Sequence, residues 1–231
     1  MIVQLKMCEN IRMDSQVMRG RIVLKDSIIE DGVITVEGQF ISHICPASDF
    51  SGELPESSGS TFLPGLVDVH CHGGGGESFP NATTPEAAMQ AVMEHRRHGT
   101  TSLVASCVTA DADTLKARAR TLASLAEKDE IAGIHFEGPF VSHARCGAQD
   151  PTYIVDPDPD LTRELIDECK GYALSMTLAP EKPRAFGEGS VAEALIDGGA
   201  IPSWGHTDSN STFARQALEY SREHFAHSST T

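Results

Sequence analysis

The chain has 231 residues, 40% of them hydrophobic and 22% charged, which is ordinary for a globular protein and allows one large domain or two small ones. A formal net charge of −15 disfavours nucleic acid or an anionic membrane as the main partner, while a local basic pocket could still take a small phosphorylated ligand. No apolar run approaches the ~20 residues that a helical membrane span requires.

The N-terminus, MIVQLKMCEN, lacks the basic-then-apolar form of a signal peptide. The six cysteines (Cys8, Cys45, Cys71, Cys107, Cys146 and Cys169) are scattered without a CxxC pair. They read as reduced thiols, so the expected location is cytoplasmic. Residues 20–46 hold short β-rich runs, GRIVLKDSII, GVITVEG and QFISHI, with Asp31-Gly32 and Glu37-Gly38 as turns. This is a small meander, too short to bury a core of its own. Ser48 to Ser60, rich in Ser, Gly, Glu and Pro, is the most linker-like stretch.

The rhythm then changes to strand followed by helix, five times. Strands are predicted over 66–72, 101–108, 131–137, 172–179 and 201–206. Helices follow near 85–98, 112–127, 160–169, 190–198 and 211–223, the first opening at Thr84-Pro85 and the last capped by Asn210 or Ser211. Such alternation implies a parallel sheet with right-handed crossovers. His70 and His72, Glu137, Glu181 and His206 all fall at C-terminal strand ends, on four different strands. Polar groups spread over several strand ends suit a barrel rim, whereas an open doubly wound sheet concentrates them at one switch point. The fold expected is therefore α/β, a partial (β/α)8 TIM-like barrel over residues 63–231, preceded by a β-rich part over residues 1–62. A full barrel takes eight βα units and about 250 residues. The chain supplies five, and ends HFAHSSTT where a sixth strand is expected.

Residues 67–76 read VDVHCHGGGG. On a strand, side chains alternate between faces, so His70 and His72 point one way and Cys71 the other. Two neutral imidazoles aimed at one spot suit a divalent cation such as zinc or iron; a pair of satisfied surface histidines is the plain alternative. Glu137 ends the apolar strand IAGIHFE, just before Gly-Pro. His135, two residues earlier on the same face, reads as a packed histidine or one supporting a ligand. Cys71, Cys107 and Cys146 read as packing or loop thiols, and His95 and His98 as the basic end of a helix, where the dipole favours them. Glu181 either orients the site or pairs with a nearby base.

FLPGLVDVHCHGGGG, GIHFEGPFVS, GAQDP, TLAPE and WGHTDS, in this order and spacing, resemble the amidohydrolase superfamily and, within it, the N-acetylglucosamine-6-phosphate deacetylase family. The first motif marks the superfamily; HFEGPF followed by GAQDP and TLAPE is much more specific to the deacetylases. The resemblance implies a metal-dependent amide hydrolase with one or two divalent ions, zinc or iron, acting on a small phosphorylated amino sugar. It also implies a homodimer when full length, and an N-terminal part contributing to a composite β-sandwich. Carried over residue by residue, it makes Glu137 and His206 metal ligands and His70 and His72 ligands of a second ion in some relatives. It places Gln149, with Ala148 beside it, where many relatives carry a histidine near the substrate carbonyl. An amide can donate a hydrogen bond there but cannot carry a proton as imidazole would. The family's remaining metal histidine, in a motif like ATHLYNAM, and its catalytic aspartate, in a motif like TDA, have no counterpart before Thr231. The expectation is a chain truncated after about the fifth βα unit, with its catalytic residue unassigned. A dihydroorotase-like amidohydrolase and an inactive fragment are the competing readings. Lys182 is the residue the first of these would recruit.

Overall fold

The structure, a computed structural model, describes residues 15–228, with side chains described as far as residue 224. The N-terminal segment read for a leader, Cys8 included, lies outside the described residues. The chain divides into two compact units between Pro64 and Gly65.

The first unit is a four-stranded sheet of β1 (Ser15–Val23), β2 (Ile28–Glu37), β3 (Phe40–Pro46) and β4 (Thr61–Phe62), in the order β3-β2-β1-β4. GRIVLKDSII is not one strand: β1 ends at Val23, and a turn closed by Leu24 N to Ser27 O at 2.9 Å leads into β2. Asp31-Gly32 is not a turn either. Both residues lie inside β2, with Gly32 opposite Gly20 and Pro46. Glycine is there for packing, since a Cβ on Gly32 would stand 2.5 Å from Ile22 Cδ1. Asp31 is held across the strands by Arg19, two of whose guanidinium nitrogens lie 2.7 Å from its oxygens. The turn expected at Glu37-Gly38 is present, with Gly38 at φ +62°. Burial is slight: Val33, Cys45 and Ala47 form the inner cluster, while Phe40, Ile41 and Leu63 are exposed.

The second unit begins with β5 (Leu66–Cys71), a tight hairpin of β6 (Gly73–Gly74) and β7 (Glu77–Ser78), and α1 (Pro85–Arg97). It continues β8 (Thr100–Val108), α2 (Ala112–Ala126), β9 (Gly133–Glu137), α3 (Pro159–Glu168), β10 (Ala173–Leu178), α4 (Val191–Asp197), β11 (Ile201–Trp204) and α5 (Ser211–Ser228). All five predicted strand–helix pairs are present. The start of α1 follows the predicted chemistry, Thr84 Oγ1 accepting from Ala87 N with Pro85 at the first position; Asp111, Asp158 and Ser190, not singled out in the sequence, cap α2, α3 and α4 in the same way. Asn210, not Ser211, caps α5, its Oδ1 accepting from Thr212 N and Phe213 N. The tail is corrected too: Phe225–Ser228, read as a failing sixth strand, continues α5. A helix already capped and running needs no stop at an aromatic residue.

The strands pair in parallel in the order β11-β10-β9-β8-β5. This order is sequential and contains no reversal, so a doubly wound sheet with a switch point is excluded. Successive helices pack against one another, α1 on α2 through α4 on α5. Alternation on each strand sorts the two faces. Ile134 and Phe136 of β9 and Met176 and Leu178 of β10 join the helices in the main core, whereas His135, Glu137, Ser175 and Thr177 belong to the other face. The second unit is thus a parallel five-stranded half-barrel with helices on its outside. Among the described residues, no helix is long and apolar enough to cross a membrane.

Candidate metal centre

Glu137 ends the central strand β9, and three imidazoles surround its carboxylate. His70 Nε2 lies 3.4 Å from Oε1, His72 Nε2 3.1 Å from Oε2, and His206 Nε2 3.1 Å from Oε1. The two Nε2 atoms of His70 and His72 are 3.0 Å apart. These distances measure the curl of the sheet. His70 and His72 belong to β5 at one edge and His206 follows β11 at the other. Four strand spacings of about 4.8 Å would hold them roughly 19 Å apart in a flat sheet. They meet at one carboxylate because the sheet is rolled.

The donor set suits a cation. Backbone carbonyls only accept, so His72 Nδ1, 3.2 Å from Ser106 O, carries a proton, as does His206 Nδ1, 2.8 Å from Arg145 O. In the neutral tautomer each Nε2 then aims a lone pair at a carboxylate oxygen about 3.1 Å away, which is unfavourable unless a positive charge lies between them. His70, His72 and Glu137 offer ligand atoms all within 4.8 Å of one another, and His206 meets this group at Glu137. The pair behaves differently when His72 carries a proton on both nitrogens. Its Nε2–H then donates to the carboxylate, a hydrogen bond that outweighs the burial that would raise Glu137 and holds it at about 2, while Glu137 pushes His72 above its ordinary value near 6.5.

His135 is not a ligand. Its Nδ1 lies 2.7 Å from Ser175 Oγ and its Nε2 3.1 Å from Thr177 Oγ1, so hydroxyls occupy both ring nitrogens. Burial, helped by His70 at a ring-centroid distance of 4.7 Å, drives it down to about 4 and keeps it neutral. The packed reading of this residue agrees with the structure.

Gln149 is buried beside the cluster, its amide set at both ends: Oε1 accepts from Thr109 N at 2.7 Å and Nε2 donates to Glu137 Oε2 at 2.6 Å. One N–H of the amide group thus fixes the carboxylate. Ala148, its neighbour, is exposed, and no side-chain contact draws it to the cluster. Replacing Gln149 by Ala is expected to weaken metal retention about 10–100-fold, read by chelator competition, because outer partners of ligands act on that scale.

Glu181 does not reach Glu137's group. It accepts from the Thr207 hydroxyl and from Asp208 N at 2.7 Å, thereby holding the loop that carries His206. Burial alone would raise its pKa, but these two donors hold it below the usual range. Lys182 pairs with Asp156 at 3.1 Å, which leaves it outside the cluster. Cys107 is a packing thiol, pushed up to about 12 by burial. His95 departs from expectation: instead of merely ending α1, it turns back to Cys71 Sγ and Gly73 O, each 3.1 Å from Nε2.

Three supporting residues went unseen in the sequence. Ser106 fixes His72 through its carbonyl. Thr109 fixes Gln149 and donates from Oγ1 to the Glu137 carbonyl at 3.2 Å. Arg145 fixes His206 through its carbonyl and pairs with Asp208 at 2.8 Å. The only available signal was position, and only for two of them: Ser106 lies near the C-terminal end of β8 and Thr109 just past it.

Comparison with known proteins agrees with this geometry. The chain is 32% identical over 220 residues to an N-acetylglucosamine-6-phosphate deacetylase of Bacillus subtilis, covering 89% of this chain and 54% of that protein. It is 29% identical over 203 residues to an N-acetylgalactosamine-6-phosphate deacetylase of a Shewanella species, covering 86% and 49%. The crystal structure of N-acetyl-D-glucosamine-6-phosphate deacetylase from Mycobacterium smegmatis superposes with a TM-score of 0.76 at 30% identity, over 88% of this chain and 53% of that one. The chain thus spans about half the length of the relatives it matches. The amidohydrolase family profile matches residues 61–218, and with a rolled parallel sheet whose strand ends gather three imidazoles on one carboxylate, the chain belongs to the amidohydrolase family.

Proposed function

We propose that this chain belongs to a cytoplasmic enzyme that removes the acetyl group from N-acetylglucosamine 6-phosphate, giving glucosamine 6-phosphate and acetate, and that the whole enzyme is a homodimer. The observation that carries the reading is the gathering of His70, His72 and His206 on the Glu137 carboxylate in a chain whose relatives are named for this reaction. Glu137 and His206 would hold one divalent ion, zinc or iron, and the HxH pair would share Glu137 with it or with a second ion. Such a cation, when bound, supplies Lewis acidity, drawing charge from an amide carbonyl and making water more acidic.

The chain's own groups do the positioning. Ser106 and Arg145 carbonyls fix the tautomers of His72 and His206 so that Nε2 keeps its lone pair. Gln149 holds Glu137 in register and presents its remaining N–H towards a substrate carbonyl. Glu181 secures the His206 loop. The resemblance assigns proton transfer to an aspartate after an eighth strand, and the described residues carry five strands of this sheet.

Acetate release tests the reading, measured with the 231-residue chain and with a chimera completed from the Bacillus subtilis relative. Cation-dependent release from N-acetylglucosamine 6-phosphate, lost with Glu137→Gln and weaker on the unphosphorylated sugar, is expected. Preference for dihydroorotate over the amino sugar would overturn it.

Metal uptake should also fall with acidity. His72 is held above its ordinary pKa by Glu137, so a proton competes for its Nε2 as pH drops through that raised value. Glu137, at about 2, stays ionised throughout. Zinc affinity is therefore expected to decline steadily between about pH 8 and about pH 5 through histidine protonation, with no step from the carboxylate. Isothermal titration across that range checks the sign.

A further inference from the structure

The strand that offers His70 and His72 to one face offers a second set of donors to the other. β5 pairs with β8 at Asp68↔Leu103 and Cys71↔Ala105, three steps on one strand against two on its neighbour. The extra residue is a bulge, and it brings Asp68 and Cys71 together although their spacing in a regular strand would put them on opposite faces. His95, in the last turn of α1, completes the group: Asp68, Cys71 and His95 offer ligand atoms all within 4.8 Å of one another. The Gly73 carbonyl joins them, 3.1 Å from His95 Nε2 and 3.7 Å from Cys71 Sγ.

The four glycines after His72 make this possible. Gly75 at φ +62° and Gly76 at φ +92° turn the β6–β7 hairpin, both in the left-handed region. A Cβ on Gly74 would stand 2.9 Å from His95 Nε2 and push the imidazole away. The hairpin is therefore shaped around His95.

Ordinary hydrogen bonding satisfies the group only by sending two donors to one acceptor. If His95 Nε2 carries its proton, it and the Cys71 thiol both donate to the one Gly73 carbonyl, at 3.1 and 3.7 Å. If Nε2 is bare, it accepts from the thiol and faces the carbonyl lone pair to lone pair at 3.1 Å. A cation would meet every donor at once. For Zn–S near 2.3 Å and Zn–N near 2.0 Å, tetrahedral ligand atoms lie about 3.5 Å apart, within the spread found here.

We propose that Cys71, His95, Asp68 and the Gly73 carbonyl form a second cation site on the helix side of β5, suited to a borderline-soft divalent ion such as zinc. It lies back to back with the His70–His72–Glu137 group and is chemically distinct from it, because it alone contains a thiol. On binding, the Cys71 sulfur gives up its proton to solvent and donates a lone pair to the ion, with no change of oxidation state.

Cobalt(II) added to the purified 231-residue chain is the probe, since thiolate ligation gives a sulfur-to-metal charge-transfer band in the near ultraviolet. The band is expected in the unmodified chain and in Glu137→Gln, absent in Cys71→Ser, and retained in Cys146→Ser. His95→Asn, on a half-buried helix end, is expected to weaken the cobalt binding that gives this band at least about tenfold. It serves equally if Cys71→Ser does not fold. A band that survives Cys71→Ser, disappears with Cys146→Ser, never forms, or is indifferent to His95→Asn would overturn the proposal.

Discussion

Glu137→Gln is expected to abolish tight metal binding at the His70–His72–His206 group, lowering the affinity of that site by at least about 100-fold, since even the outer partners of metal ligands are worth about 10–100-fold. The substitution keeps the side chain's size and its bond to Gln149, whose Nε2 can still donate to the new amide oxygen. It removes the one charge shared by three imidazoles. It also places N–H donors where lone pairs should converge, so His70, His72 and His206 lose their common partner while remaining in place. Metal content after dialysis and competition with a coloured chelator give the number. Thermal unfolding monitored by circular dichroism should show a folded protein. Near-normal retention of one tightly held ion at the Glu137 group would remove this residue from the centre of the site.

Phe136→Ala is expected to be among the most destabilising single changes, costing about 3–5 kcal/mol. Phe136 is 2% exposed and belongs, with Ile134 on the same face of β9, to the main core beneath the helices, one residue before Glu137 and on the opposite face. Removing the ring leaves a cavity among packed side chains that relax only partly. Native domains are stable by about 5–15 kcal/mol, so the loss is a large share of the whole. Urea denaturation should show the midpoint falling with little change in slope. A shift of only a few tenths of a kcal/mol would mean that the β9 core is loosely packed.

The alternation of strand and helix was legible because each helix carries its own start signal and each strand its own apolar run. The parallel barrel was legible because His70, Glu137 and His206 recur at strand ends, a placement that means little unless the ends converge. The misreadings share one cause. Gly32 looked like a turn because glycine serves both bends and close approaches, and only the partner, Ile22, distinguishes them. The contact between Cys71 and His95 was not legible because it depends on how α1 lies against β5, which no single letter of the sequence records. Ser106 and Arg145 act through backbone carbonyls, which every residue possesses, so their identity carried no message.

The rolled sheet has a mechanical consequence. The groups that meet at Glu137 arrive from its two outermost strands and its middle one, so whatever occupies that meeting point laces the margins of the sheet to its spine. β5 presents Val67 and Val69 to solvent, and β11 presents Ile201, so neither margin is held firmly by burial. An ion there would act as a drawstring on the curvature, and a chelator would slacken the architecture along with the chemistry. The chain's single tryptophan, Trp204, sits on the β11 margin with its indole N–H 3.1 Å from Ser221 Oγ, well placed to sense the slack.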